Sequence, residues 1–100
     1  MSPHVTLDRA RLAEFCRRNK IRSLALFGSV LTDKFGPDSD VDVLVEYEPD
    51  AVVSYIDMAA MEMELSEMLD RQVDLRTPAE LSRYFRDEVL AVAEVQYAKG

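Results

Sequence analysis

Cysteine occurs once in this chain of 100 residues, and tryptophan not at all. The single Cys16 excludes an internal disulfide. It shares a predicted helical face with Leu12 and Phe15, which reads as a buried structural thiol rather than a reactive one. Glycine and proline are scarce, at three and four residues, and form no tract that could serve as a linker. No apolar stretch approaches the ~20 residues that span a bilayer. The N-terminus, MSPHVTLDRA, has no apolar run of the kind that opens a secretory signal. These absences predict no membrane association and a cytoplasmic protein. Basic residues are in the minority, 12 against 19 acids, for a net charge of −7. Such a surface repels nucleic acid, whose binding rests on Lys and Arg neutralising phosphates, so no direct nucleic-acid partner is expected. Most of the charge serves solubility. A nucleotide is still compatible with it, because a bound metal ion reverses the local field.

Apolar residues, by contrast, are plentiful. They make up 48% of the chain and run through nearly all of it, which argues against long disorder. The length predicts one domain, residues 1–100, with a single modest core. A first helix is expected from an N-cap at Thr6 to about Arg18, with Leu7, Leu12, Phe15 and Cys16 inward and Asn19-Lys20 closing it. Ser23-Leu24-Ala25-Leu26-Phe27 reads as a buried strand that ends at Gly28-Ser29. A loop follows, with one helical turn over Val30–Lys34 and turn chemistry in Gly36-Pro37-Asp38-Ser39. Val41 to Glu46 reads as a second strand. Pro49-Asp50 is expected to cap a helix from Ala51 to Leu69, and Gln72 to Arg76 to form a third strand. Thr77-Pro78-Ala79-Glu80 is a capping box with proline at the first helical position, so a last helix should run to about Ala93. Val95 to Ala98 reads as an extended tail or a continuation of that helix. The order implies an α/β (α+β) fold, a small mixed sheet flanked by helices.

Asp40 and Asp42 stand two apart at the start of the second strand, so their carboxylates share a face. Two acids this close repel unless a cation lies between them. Mg²⁺ suits them, since it takes oxygen ligands from one or two carboxylates plus substrate phosphates. Gly28-Ser29 closes the preceding strand. Glycine permits close approach of a phosphate, and the serine hydroxyl and free amides of the turn can donate to its oxygens. Alone, a Gly-Ser pair is weak evidence. The whole pattern, G-S-x10-D-x-D, would arise by chance in roughly one sequence of this length in a thousand. The competing reading makes Asp38 and Asp40 turn formers and Asp42 an ordinary exposed strand residue. Asp74, in Val73-Asp74-Leu75, is either a solvent-facing strand charge or a third acid facing Asp40 and Asp42, if its strand lies beside theirs. As a third acid it would ligate the metal or serve as base toward an acceptor hydroxyl.

The stretch from Leu26-Phe27-Gly28-Ser29 to Asp38-Ser39-Asp40-Val41-Asp42-Val43-Leu44-Val45 resembles the polymerase-β-type nucleotidyltransferases, and most of all their small minimal nucleotidyltransferase (MNT) members. The resemblance extends through Arg71–Leu75 and Tyr84-Phe85-Arg86-Asp87. It implies nucleotide binding at Gly28 and Ser29. It also implies metal-binding and catalytic roles for Asp40, Asp42 and Asp74, with Mg²⁺ as cofactor and ATP as co-substrate. Many relatives carry an arginine three residues after the motif serine, where this chain has Thr32, with Lys34 nearby. Lysine lacks arginine's bidentate reach, so turnover is expected to be weaker. Small MNT proteins commonly pair with a HEPN-type ribonuclease toxin. The resemblance therefore implies an antitoxin that transfers AMP to a toxin hydroxyl, most simply a tyrosine, in a hetero-oligomer. The alternatives are a non-catalytic antitoxin that masks the toxin sterically, and a small-molecule enzyme of the aminoglycoside-modifying type. The last is disfavoured because no second domain is left to wall a pocket.

One feature points to a partner independently of the resemblance. The helix from Ala51 carries two apolar stripes, Val52/Ile56/Ala59/Met63 and Met58/Met61/Leu65/Met68/Leu69. A surface helix normally has one. Either the second stripe meets another chain, or both are buried between the sheet and a neighbouring helix. Tyr47, Tyr55, Tyr84 and Tyr97 read as packing residues, His4 as a terminal residue without a role, and Arg83 and Arg86 as solvated.

Overall fold

The structure is a computed structural model that describes residues 8–28, 36, 39–81, 83–84 and 86–99. Helix α1 (Arg9–Arg18) begins one residue after Asp8, whose carboxylate accepts from the amides of Ala10 and Arg11. Asp8 is therefore the N-cap, and the expected caps and contacts at Thr6 and Leu7 lie outside the described residues. Asn19 closes the helix through its side-chain amide, which donates to the Phe15 carbonyl. Lys20, at φ 55°, turns the chain into the first strand.

Four strands form one sheet in the order β3-β2-β1-β4. Strand β1 (Ile21–Phe27) lies antiparallel to β2 (Val41–Tyr47) on one side and to β4 (Glu94–Ala98) on the other. Strand β3 (Val73–Arg76) runs parallel to β2. The sheet is thus mixed, as the element order implies. A register shift between Ile21 and Ser23 changes the alternation, which lets Ile21 share a face with Leu24 and Leu26. That face packs against α1 and helix α2 (Tyr55–Leu69) in a core of Leu12, Phe15 and Cys16 from α1, Met61, Leu65 and Leu69 from α2, and alternate strand residues. Burial pushes the Cys16 thiol up to about 12, so it stays protonated. Ala25 and Leu44, register partners, are also buried but stand outside this core, on the sheet's other face. Asp42, two residues from Leu44, shares that second face.

Two expectations need correction. The second helix starts at Tyr55 rather than Ala51, because Ser54 and Asp57 form a reciprocal capping box that outcompetes Pro49-Asp50. The last helix is broken. Thr77 and Glu80 do form a capping box, but over a single 3-10 turn, Pro78–Glu80, after which Leu81 is extended and a separate helix α3 (Arg86–Val92) begins. The chain crosses from β3 at one edge to β4 at the other, about 14 Å across three strand spacings. Of the two readings of the tail, the extended one holds: it forms strand β4. Tyr47 and Tyr97 pack on the core as expected, whereas Tyr55 and Tyr84 are exposed.

The two α2 stripes also sort differently from the expectation. Met61, Leu65 and Leu69 are buried, with Met58 and Met68 packed against them. The other stripe faces out: Val52 is 96% exposed, Ile56 82% and Met63 69%, with Ala59 exposed between them. The apolar face left exposed is therefore that of Ile56, not that of Met61. Both sheet edges carry side-chain caps. The amides of Val73 and Leu75 on β3 donate to Ser66 Oγ (3.0 Å) and a Glu62 carboxylate oxygen (2.7 Å) of α2. Arg9 donates to the Gln96 carbonyl of β4 (3.1 Å).

Candidate active site

Strand β1 delivers Gly28 directly beside Asp42. Phe27, the last residue of β1, is the register partner of Asp42, and Gly28 follows at φ +78°, a conformation that favours glycine. A Cβ on Gly28 would lie 2.1 Å from Asp42 Oδ2, so the carboxylate rests against the glycine. Ser29 lies outside the described residues, as does the expected helical turn after it. Asp40 is exposed immediately before β2. Gly36 and Ser39, ahead of it, are clamped: Arg71 donates to the Gly36 carbonyl and to that of Ser39 (3.4 Å), and Gly36 and Ser39 bond each other. The Val41 amide donates to the Gln72 carbonyl (2.8 Å), which ties the start of β2 to the residue before β3.

The third acid meets its condition. In the parallel ladder Asp74 is the register partner of Asp42, so the two side chains share a face on neighbouring strands. Burial raises the Asp42 carboxyl above its ordinary range, and the negative charges of Asp74 and then Asp40 raise it further, against a lowering by Arg76. Asp74 and, more weakly, Asp40 thus add negative charge beside Asp42, and Arg76 offsets only part of the shift. The all-oxygen donor set and this surplus charge fit a hard divalent cation. Among the described residues, no three ligand side chains converge closely enough to enclose a metal as they stand. Asp74 is engaged by Arg76, whose Nη2 donates to Asp74 Oδ2 at 3.1 Å.

Beside this end of the sheet, Phe27 and Gly28 face Val89, Ala91 and Val92 of α3 across an open, largely apolar cleft of about 1040 Å³, with Glu88 and Glu94 at its walls. It is large enough for a small-molecule ligand. Sequence reasoning missed three of these features. The spacing of Arg76 from Asp74 places both on one face, so that signal was legible. Arg71 clamps carbonyls 35 and 32 residues earlier, and the α3 wall depends on the broken helix; neither has a local signature.

A model of the nucleotidyltransferase domain matches residues 9–96. Two candidate protein adenylyltransferases of Methanocaldococcus jannaschii are similar. One is 35% identical over 65 residues, 64% of this chain and 63% of its own length; the other is 37% identical over 59 residues, 58% and 57%. The chain therefore spans less than two thirds of either relative. Among solved structures, a candidate minimal nucleotidyltransferase superimposes with a TM-score of 0.68 at 30% identity, covering 85% of each chain. A chain of a toxin–antitoxin crystal structure with AMP-PNP gives 0.72 at 22% identity, covering 93% of this chain and 75% of that one. A chain from a complex of the tri-AMPylated Shewanella oneidensis HEPN toxin with its MNT antitoxin gives 0.63 at 20%, covering 91% and 70%. At such identities these last two establish the fold. With Gly28 against Asp42 and Asp74 beside it on that fold, and the domain model spanning nearly its whole length, this chain belongs to the nucleotidyltransferase domain family.

Proposed function

We propose that this chain is a Mg²⁺-dependent nucleotidyltransferase that moves AMP from ATP to a protein hydroxyl, a tyrosine of a HEPN-type toxin, and so acts as an antitoxin. The observation that carries the reading is the register that sets Asp74 opposite Asp42, with Gly28 against the Asp42 carboxylate. Asp40 and Asp42, with Asp74 as third ligand, would hold the metal, which would supply positive charge to offset the negative charge that develops on the phosphate during transfer. The Gly28-Ser29 turn would receive the triphosphate. The apolar cleft of Phe27, Val89 and Val92 would take the base or the acceptor ring. As the hydroxyl oxygen bonds to the α-phosphorus, the α–β bridging bond breaks, pyrophosphate leaves, and an aspartate carboxylate accepts the hydroxyl proton. The similar candidate adenylyltransferases and the AMPylated toxin complex support protein hydroxyl as acceptor.

The test is label transfer. Purified protein, each labelled NTP, Mg²⁺ and a cognate HEPN protein are incubated together, with Asp40→Ala/Asp42→Ala as control. The reading expects label on the partner with wild type alone and ATP as the preferred donor. Full transfer by the double variant would overturn it. A second reading, sterically masking antitoxin, is favoured by the outward face of Val52, Ile56 and Met63. It expects Asp42→Ala to neutralise the toxin still, and Ile56→Lys not to.

A further inference from the structure

We propose that Arg76 is a positioning residue for Asp74: its guanidinium holds the Asp74 carboxylate while the site is without a cation, and passes to Glu80 when a cation takes Asp74. The inference rests on the metal-dependent reading above. Asp74 and Arg76 are two apart on β3 and share a face. Arg76 Nη2 donates to Asp74 Oδ2 at 3.1 Å, while its Nη1 stands 3.8 Å from Glu80 Oε2. One terminal nitrogen is thus committed to the site, and the other waits near a second carboxylate.

Glu80 is itself held in place. Its Oε1 accepts from the amide of Thr77 (3.2 Å) and from the Thr77 hydroxyl (3.1 Å), which leaves Oε2 turned to Arg76. This capping box starts a helix of only three residues, so its lasting consequence is a fixed acceptor for the guanidinium. Stability does not account for the arrangement. The side chains of Arg76, Asp74 and Glu80 are 48%, 35% and 36% exposed, and ion pairs so exposed contribute little to folding. They do decide where the Asp74 carboxylate points. It is drawn along β3 to Arg76, although its register partner Asp42 lies on the adjacent strand in a surplus of negative charge. A divalent cation at Asp40 and Asp42 would compete with Arg76 for Asp74. A guanidinium with a second carboxylate already within reach gives it up without being left unpaired.

The test measures Mn²⁺ binding to the purified protein, without nucleotide, from the free-ion EPR signal. Arg76→Met removes the competitor and should tighten binding by about fivefold, the scale of one exposed ion pair. Glu80→Gln removes the alternative acceptor and should weaken it. The double variant should match Arg76→Met alone, because Glu80 acts only through Arg76. Arg76→Lys, which keeps the charge but has one nitrogen where the guanidinium has two, should fall between wild type and Arg76→Met, and binding equal to wild type would mean that charge alone acts. Unchanged or weaker binding in Arg76→Met overturns the inference, as does strict additivity in the double variant, which would mean plain through-space electrostatics. Asp42→Asn separates the two levels: wild-type Mn²⁺ binding by that variant overturns the metal reading itself. Loss of binding there with no response at Arg76 overturns only the exchange.

Discussion

At the scale of single residues, the site is built on a contact between a glycine and a carboxylate. Gly28 has a left-handed backbone, and any side chain there meets Asp42. Gly28→Ala should cost about 1–2 kcal/mol from the backbone alone, seen as a lower Tm. It should lower nucleotidyl transfer far more than that loss of stability implies, because Asp42 must move to make room. Comparing the two readouts on one preparation checks this, and retained transfer with a lowered Tm would refute it. The residues involved were legible in advance, since G-S-x10-D-x-D names them. Their contact was not: it follows from the pairing of Phe27 with Asp42 across an antiparallel ladder. Arg71 shows the same limit, because its acceptors lie on a loop more than 30 residues earlier in the chain.

At the scale of elements, helix α2 has two apolar faces in different surroundings, one buried and one exposed. Its inner side closes the open edge of β3 through Ser66 and Glu62, which spares buried amides from going unpaired. Ser66→Ala should cost about 1–3 kcal/mol, the penalty for an unsatisfied buried donor, measured by urea unfolding; a change near zero would show that the Val73 amide finds another acceptor. Its outer side should behave differently from its inner side. Met61→Ala removes a core side chain and should destabilise by about 2–5 kcal/mol. Ile56→Lys should stay within ~0.5 kcal/mol while weakening capture of a cognate partner. Equal destabilisation by both variants would mean that Ile56 is packed in solution. Both stripes were visible from periodicity, which reports that a helix has two apolar sides but not which side meets the sheet.

At the scale of the whole molecule, the site is held at the expense of stability. Asp42 has a carboxyl raised above its unfolded value by burial and by Asp74 and Asp40. A raised group favours the fold when protonated, so its contribution is present below the ordinary value of 3.8 and is lost as pH rises through the raised one. At neutral pH the ionised carboxylate therefore opposes folding. Asp42→Asn should raise the Tm of the metal-free protein at pH 7, and the gain should vanish as pH falls to the ordinary carboxylate range. Mg²⁺ or Mn²⁺ should raise the Tm of wild type and not of this variant. A Tm for Asp42→Asn at or below wild type at neutral pH would contradict the account. What the chain determined by itself was local: where three strands and the first helix lie, that Cys16 faces inward, and which acids stand two residues apart. Alternation and helical periodicity act over two to four residues, so they can be read along the sequence. The tertiary structure alone decided that β3 lies parallel beside β2, that the last helix breaks to cross the sheet, and that Arg76 holds Asp74 with Glu80 in reserve. Those outcomes depend on strand adjacency, which is set by the packing of segments distant in the chain.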